Sequence, residues 1–351
     1  MRFDQVKPAP GRLLFQTIFL ALLLTATSGY SFSALYAFGD SLSDTGRSPA
    51  PSPSYYDGRF SNGSLWVEYL SAQLGLAYDP ANNFAVSGSV TSDLASEIAG
   101  VSASTNLQTA LFTIWSGGND FLNYAMSAGI NDASWNSIIT TAVMNLTNAV
   151  GALYAKGARE ILVCNLPNLG RIPAASAFPS AYQTYVGSKV VAFNTTLASA
   201  LTAVMQRNLG LRIYPVDMYS RYNAFLSTPA AYGFTVTTIG ALDDPAFADK
   251  SFTGPGQNYV FWDSIHPTTK GHALIAATAF QSVGVQLSSA RSGTNLTLGV
   301  RNLSPNLTYT IQTSTNLFAW SDYQTFTATG TNANVVLTNG PGGRVFYRVR
   351  Y

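Results

Sequence analysis

Cysteine and histidine are almost missing from this chain, which holds one cysteine, Cys164, and two histidines, His266 and His272, in 351 residues. A single cysteine excludes an intrachain disulfide framework. Three soft ligands so placed cannot assemble a zinc-type cluster, so no metal site is expected. Charge is scarce as well, with 10% of residues Asp, Glu, Lys or Arg. The net +2 comes from the first residues, where Arg2, Lys7 and Arg12 outweigh Asp4. Without that segment the balance is near zero, and no electrostatic case for a nucleic-acid partner survives. The phosphate-loop and dinucleotide glycine patterns are also absent, and so is the G-x-S-x-G elbow of the common hydrolases.

Apolar residues are plentiful: 47% of the chain is hydrophobic and 13% aromatic, enough for a large core. Three basic residues precede the apolar run "LLFQTIFLALLL" at 13–24, and small and polar residues follow it. This is the layout of a secretory signal peptide over residues 1–33, with plausible cleavage after Ser28 or Ser33. The run is short of the ~20 residues needed to span a bilayer, so membrane contact is expected only through this segment, if it stays uncleaved. A secreted or periplasmic location is therefore expected. Export without disulfides points to a bacterial source. Cys164, inside "EILVCNLPNLG", reads as a small apolar residue on a buried strand.

From Ala34 onward, short apolar runs alternate with stretches of helical periodicity, the signature of a parallel sheet flanked by helices. The runs "ALYAF", "NNFAV", "ALFTIW", "REILVC" and "LRIYPV" read as five strands. Ile139, Val143, Leu146, Val150 and Leu153 form one helical stripe, and Val190, Phe193, Leu197, Leu201 and Val204 another. Residues 221–262 lack this rhythm and read as a long excursion before a last helix, "TTKGHALIAATAFQ". Residues 286–351 change character again, into Thr- and Val-rich strands separated by turn residues: a small all-β module. The module carries five arginines against Asp322, whereas residues 29–286 hold eleven basic and fifteen acidic residues. An acidic polymer, or simply the larger domain at 34–285, could meet that basic face.

Ligands of open parallel sheets bind beyond the carboxyl ends of the strands, which draws attention to the strand-to-helix junctions. "GDSLSDTG" places Ser41 after the first strand, "NFAVSGS" places Gly88 after the second, and "WSGGND" places Asn119 after the third. Far downstream, "FWDSIHPTT" puts Asp263 three residues before His266. Acyl transfer needs a nucleophile, a base, an acid that orients the base, and donors for an oxyanion. Ser41, His266 and Asp263 can fill the first three roles, and the Ser41 and Gly88 N–H groups with the Asn119 amide the last. Asp40 and Asp44 could be a glycosidase pair but read better as turn-ordering carboxylates. His272 reads as a packed helix histidine and Trp66, Tyr69 and Leu70 as core, while Tyr55, Tyr56 and Trp262 are candidates for lining an acyl pocket.

These blocks resemble those of the GDSL or SGNH hydrolases. "FGDSLSDTG" is similar to that family's first block, "NFAVSGS" to its second, "GGND" to its third and "DSIHPT" to its fifth, with "YYDGRFSNGSLWVEYL" and "NLPNLG" as accessory stretches. Ser87 stands where many relatives have glycine, and Arg47 where Asn is frequent. The resemblance implies a three-layer α/β/α sandwich, flavodoxin-like, with Ser41 as nucleophile, His266 as base, Asp263 as its partner, and Ser41, Gly88 and Asn119 as the oxyanion hole. It implies a secreted serine esterase or lipase that needs no cofactor and acts on small-molecule or lipid esters. A polysaccharide O-acetylesterase acting on an acylated glycan is the alternative enzyme, and a non-catalytic glycan-binding or adhesion protein the alternative from another class.

Overall fold

The computed structural model describes residues 32–350, apart from 103–104, 126–128, 248, 252–253, 293–294, 302, 304–307, 318, 331 and 338–344. The signal peptide expected over residues 1–33 therefore lies outside the described residues except for Phe32 and Ser33.

Four parallel strands form the central sheet: β1 (Leu35–Gly39), β2 (Leu111–Trp115), β3 (Glu160–Cys164) and β4 (Arg212–Val216), in the order β1-β2-β3-β4. β2 is buried along its whole length and β3 at four of five positions, which is why both read as unbroken apolar runs rather than alternating ones. Cys164 is buried at the end of β3, its thiol pushed well up by burial.

The expected fifth strand is corrected. In "NNFAV", only Asn83 makes a parallel bridge, to Ala37, although Phe84 N–H and Val86 N–H also donate to the Ala37 and Gly39 carbonyls. The Asn83 side chain explains the break: its Oδ1 takes Ala85 N–H, and its Nδ2 donates to the Ser43 carbonyl. Local side-chain bonding thus turns an edge run into an extended loop.

Helices α1 (Trp66–Gln73), α2 (Leu94–Ala99), α3 (Gly118–Ala125), α4 (Asp132–Lys156), α5 (Ser180–Arg207), α6 (Met218–Ser227) and α7 (Thr269–Val283) complete this layer structure. Both expected stripes are buried, one on α4 and one on α5. Two helix pairs, α4 with α5 and α1 with α7, join the sheet in one hydrophobic core. At about 1.5–3 kcal/mol per fully buried large apolar side chain, each of these stripes contributes substantially to the stability of that core.

The irregular excursion is shorter than expected, because residues 221–227 belong to α6, whose start is capped by Asp217 accepting from Ser220 N–H. Beyond it, Ala241, Phe247, Tyr259 and Trp262 build a small apolar cluster of their own. After α7, six strands form two three-stranded antiparallel sheets, with β5 (Gln286–Ser292), β6 (Asn295–Arg301) and β9 (Asn332–Leu337) in one and β7 (Thr308–Ser314), β8 (Ser321–Thr327) and β10 (Phe346–Arg350) in the other. They share a separate core that includes Leu298, Val300, Tyr309 and Ile311. The polar strand β5, "QLSSARS", had no hydrophobic signal in the sequence.

Candidate active site

Ser41 sits on the turn that leaves β1. Gly39 closes the strand with φ +131°, and any Cβ there would collide with the Trp115 carbonyl oxygen, so only glycine fits. Asp40 then folds the turn: its Oδ1 accepts Leu42 N–H at 3.0 Å and its carbonyl accepts Ser43 N–H and Asp44 N–H. Ser41 is 9% exposed, at the floor of a cleft.

His266 and Asp263 reach the same cleft from the segment before α7. Asp263 Oδ1 accepts both Ile265 N–H (2.8 Å) and His266 N–H (2.7 Å), a side-chain-closed turn that makes a three-residue separation sufficient. Asp263 Oδ2 takes His266 Nδ1 at 2.7 Å, and His266 Nε2 meets Ser41 Oγ at 2.8 Å. A carboxylate only accepts, so Nδ1 carries the proton and Nε2 is left to accept from the serine hydroxyl. Burial would push the Asp263 carboxyl up, but His266 and the two N–H donors hold it below the usual range.

Asn119 lies in the first turn of α3 and lines the cleft with Ser41 and His266. One amide N–H donates to the Ser89 carbonyl at 2.9 Å, leaving a second available. That bond anchors the turn 86–89, closed by Ser89 N–H to the Val86 carbonyl, in which Gly88 takes φ +85°. Gly88 is exposed on this turn, which the Asn119 amide ties to the cleft. Among the described residues, neither Ser41 N–H nor Gly88 N–H has an acceptor.

The two acids flanking Ser41 part company. Asp44 is fully buried and accepts from the backbone N–H groups of Gly46, Arg47, Ser48 and Ser87 and from Ser87 Oγ. It organises the loop and ties the first block to the second, so a glycosidase pair is not formed. Ser87 supplies two of those donors, its backbone N–H and its hydroxyl. Arg47 likewise has a local role, its guanidinium donating to the Asn83 carbonyl at 3.0 and 3.2 Å. Asp40 lines the cleft, and burial raises its carboxyl to about 6 against the pull of Leu42 N–H and His266.

His272 is fully buried, accepts Trp66 N–H at Nδ1, and is driven down to about 3 by burial, a packed neutral imidazole. Trp66 and Leu70 are core, and Tyr69 bonds Thr269. The expectation that Tyr55, Tyr56 and Trp262 line an acyl pocket is corrected. Trp262 is fully buried, Tyr56 is turned outward, and the Tyr55 hydroxyl donates to Asp263 Oδ2 at 2.8 Å. Leu42, Leu122, Leu166, Leu169, Ile172 and Ile265 provide the apolar lining instead. No signal in the sequence singled these out from ordinary core leucines and isoleucines.

Glu97, on α2, is a buried acid that sequence reasoning passed over. Its Oε2 accepts Gly39 N–H at 2.9 Å, bracing the junction before Ser41. Burial raises its carboxyl from the ordinary 4.5 to about 7. Between those values the folded state keeps a proton that the unfolded chain releases, so this contribution is fully present below about 4.5 and is lost as pH rises through 7. Asp40 acts with the same sign. Glu97→Gln keeps an acceptor without the charge, so it is expected to melt higher than the parent at pH 8 and to flatten the loss of thermal midpoint between pH 5 and 8. Parallel melting curves for the two proteins would disprove this.

The profile of the GDSL-like Lipase/Acylhydrolase family matches residues 35–279. The chain is similar to the thermolabile hemolysin of Vibrio parahaemolyticus, 27% identical over 278 residues, covering 70% of this chain and 62% of the hemolysin. It therefore spans less than two thirds of that relative. It is also similar to the phosphatidylcholine-sterol acyltransferase of Aeromonas hydrophila, 25% identical over 317 residues, covering 72% of this chain and 91% of the acyltransferase. Among solved structures, a variant of an acetyl-xylooligosaccharide esterase from Geobacillus superposes with a TM-score of 0.43 at 17% identity, covering 74% of this chain and 97% of the esterase.

Proposed function

The chain belongs to the GDSL-like lipase/acylhydrolase family, and we propose that within it the protein is an exported serine esterase that cleaves carboxylic esters through an acyl-enzyme. The observation that carries this reading is the unbroken hydrogen-bonded chain Ser41–His266–Asp263 at 2.8 and 2.7 Å. Ser41 Oγ attacks the ester carbonyl carbon as its proton passes to His266 Nε2. The negative charge that develops on the carbonyl oxygen meets the N–H groups of Ser41 and Gly88 and the free N–H of the Asn119 amide. Collapse breaks the bond to the alcohol, which leaves with the proton from Nε2. Water then attacks the acyl-serine, His266 takes and returns its proton, and the acid departs. Asp263 stays ionised, holding the imidazole and stabilising its charged form.

The shape of the site favours an apolar acyl chain. Beside the cleft, sharing Leu122 and Leu169 with it, lies a small crevice walled by Phe121, Ala125, Ala175, Phe178 and Val186. Across Ile172 it borders an open groove with Arg171, Gln183, Thr237 and Thr238, suited to the alcohol part. The same groove would suit a polysaccharide, and an O-acetylesterase would then leave the apolar crevice unused. Chromogenic esters from acetyl to dodecanoyl, with an acetylated glycan alongside, separate these readings. The lipid reading expects kcat/KM to rise at least tenfold from acetyl to a medium chain; a preference for acetylated glycan would replace it, and no turnover of any ester would leave only binding.

Asn119→Ala is expected to lower kcat by about a hundred- to thousandfold with little change in KM, the usual loss for one oxyanion donor. Steady-state kinetics on a soluble ester, paired with a melting curve, checks it. Because the same amide holds the Ser89 carbonyl, a lost fold in step with lost activity would make Asn119 only the anchor of the turn.

A further inference from the structure

Asp263 Oδ1 is satisfied by its own turn, but Oδ2, the oxygen that holds His266 Nδ1–H, also receives a hydrogen bond from 208 residues away, Tyr55 O–H at 2.8 Å. We propose that Tyr55 is a positioning residue for the reaction, its hydroxyl fixing the Asp263 carboxylate and drawing off part of the charge that the carboxylate presents to the imidazole. This rests on the esterase reading above.

The segment around Tyr55 is tied down on several sides. The Ser54 carbonyl accepts from Nε1 of Trp262, the buried neighbour of Asp263. The Tyr55 ring packs on Phe60 at 5.2 Å, and Phe60 packs on the His266 imidazole at 4.8 Å. Tyr56 N–H closes the segment onto the Ser61 carbonyl at 2.9 Å. Residues 54–60 thus wall one side of the Asp–His pair. A phenylalanine would serve as wall equally well, and the hydroxyl is the part that reaches the working oxygen. Its chemical effect follows from the shared acceptor. A carboxylate that accepts a second strong donor is less basic toward the imidazole, so the imidazolium gives up its proton to the departing alcohol more readily. The other titratable groups facing this unit are Asp40 toward His266, Asp243 toward Tyr55, the neutral His272 behind His266, and Tyr222 in the cleft wall. None of them is altered by removing the Tyr55 hydroxyl.

Tyr55→Phe keeps the ring and deletes the bond. We expect kcat to fall roughly three- to tenfold with KM within about twofold, the size of one hydrogen bond. The acid limb of kcat/KM should move to higher pH by roughly half a unit to one unit, with the melting curve nearly unchanged. A second measurement needs no turnover. The chain has two histidines, and burial drives the His272 imidazole down to about 3, so 13C-labelled imidazole NMR followed against pH separates the His266 signal from it. Its midpoint should move in the same direction. If both the midpoint and the acid limb stay in place in a folded variant, Tyr55 is a wall residue and the proposal is overturned. If the midpoint moves while the parent protein shows no Ser41-dependent turnover, the link from Tyr55 to Asp263 stands and the esterase reading falls.

Discussion

Ser41→Ala is expected to abolish ester turnover, lowering kcat by on the order of 10⁶, as loss of the nucleophile does in a serine hydrolase triad. No neighbouring hydroxyl can take over. Ser43, two residues on, is fully buried and its Oγ accepts the Trp66 indole N–H at 3.1 Å, whereas Ser41 Oγ is the one held against His266 Nε2. The substitution removes a single hydrogen bond, worth about 1 kcal/mol, so the thermal midpoint should stay close to that of the parent. Steady-state kinetics with a melting curve makes the comparison, and a serine-directed phosphonate followed by peptide mass analysis locates the nucleophile. Label on Ser43, or full activity without the Ser41 hydroxyl, would end the mechanism.

His266→Ala should be nearly as damaging to turnover, and the two losses should not add in the double variant, because a nucleophile and its base act as one unit. His272→Ala is the control with the opposite signature. That imidazole is fully buried, with Nδ1 on the Trp66 backbone, and replacing it leaves a cavity and an orphaned N–H in the seam between α1 and α7. By analogy with other large-to-small core changes it should destabilise by about 2–5 kcal/mol, with kcat of the folded fraction largely kept. Kinetics and denaturant unfolding on both variants separate the roles. An inactive, fully stable His272→Ala protein would move the base to the wrong-looking histidine.

Short-range chemistry made part of this molecule legible without coordinates. The stripes of α4 and α5 announced themselves by helical spacing, the buried strands by unbroken apolar runs, and Asp263 and His266 by a separation that a single side-chain-closed turn can bridge. Where the reading failed, a local competitor or a distant partner was responsible. "NNFAV" has the composition of a strand, but Asn83 spends its amide on Ala85 and on the Ser43 carbonyl. β5 is too polar to signal itself, and its place is set by pairing with β6.

The sequence by itself determined the chemical parts and their order: a serine after the first strand, an amide after another, an acid and imidazole before the last helix. Those features depend on residue type and on contacts within a few positions, which a linear pattern records. The tertiary structure alone decided which parts touch. It brought Ser41 to His266 across 225 positions, placed Asp44 under Ser87, set Glu97 behind Gly39 and laid the Tyr55 hydroxyl on Asp263. Hydrogen bonds of that kind depend on where the packed sheet and helices carry each backbone, and their geometry within a few tenths of an ångström has no counterpart in spacing along the chain.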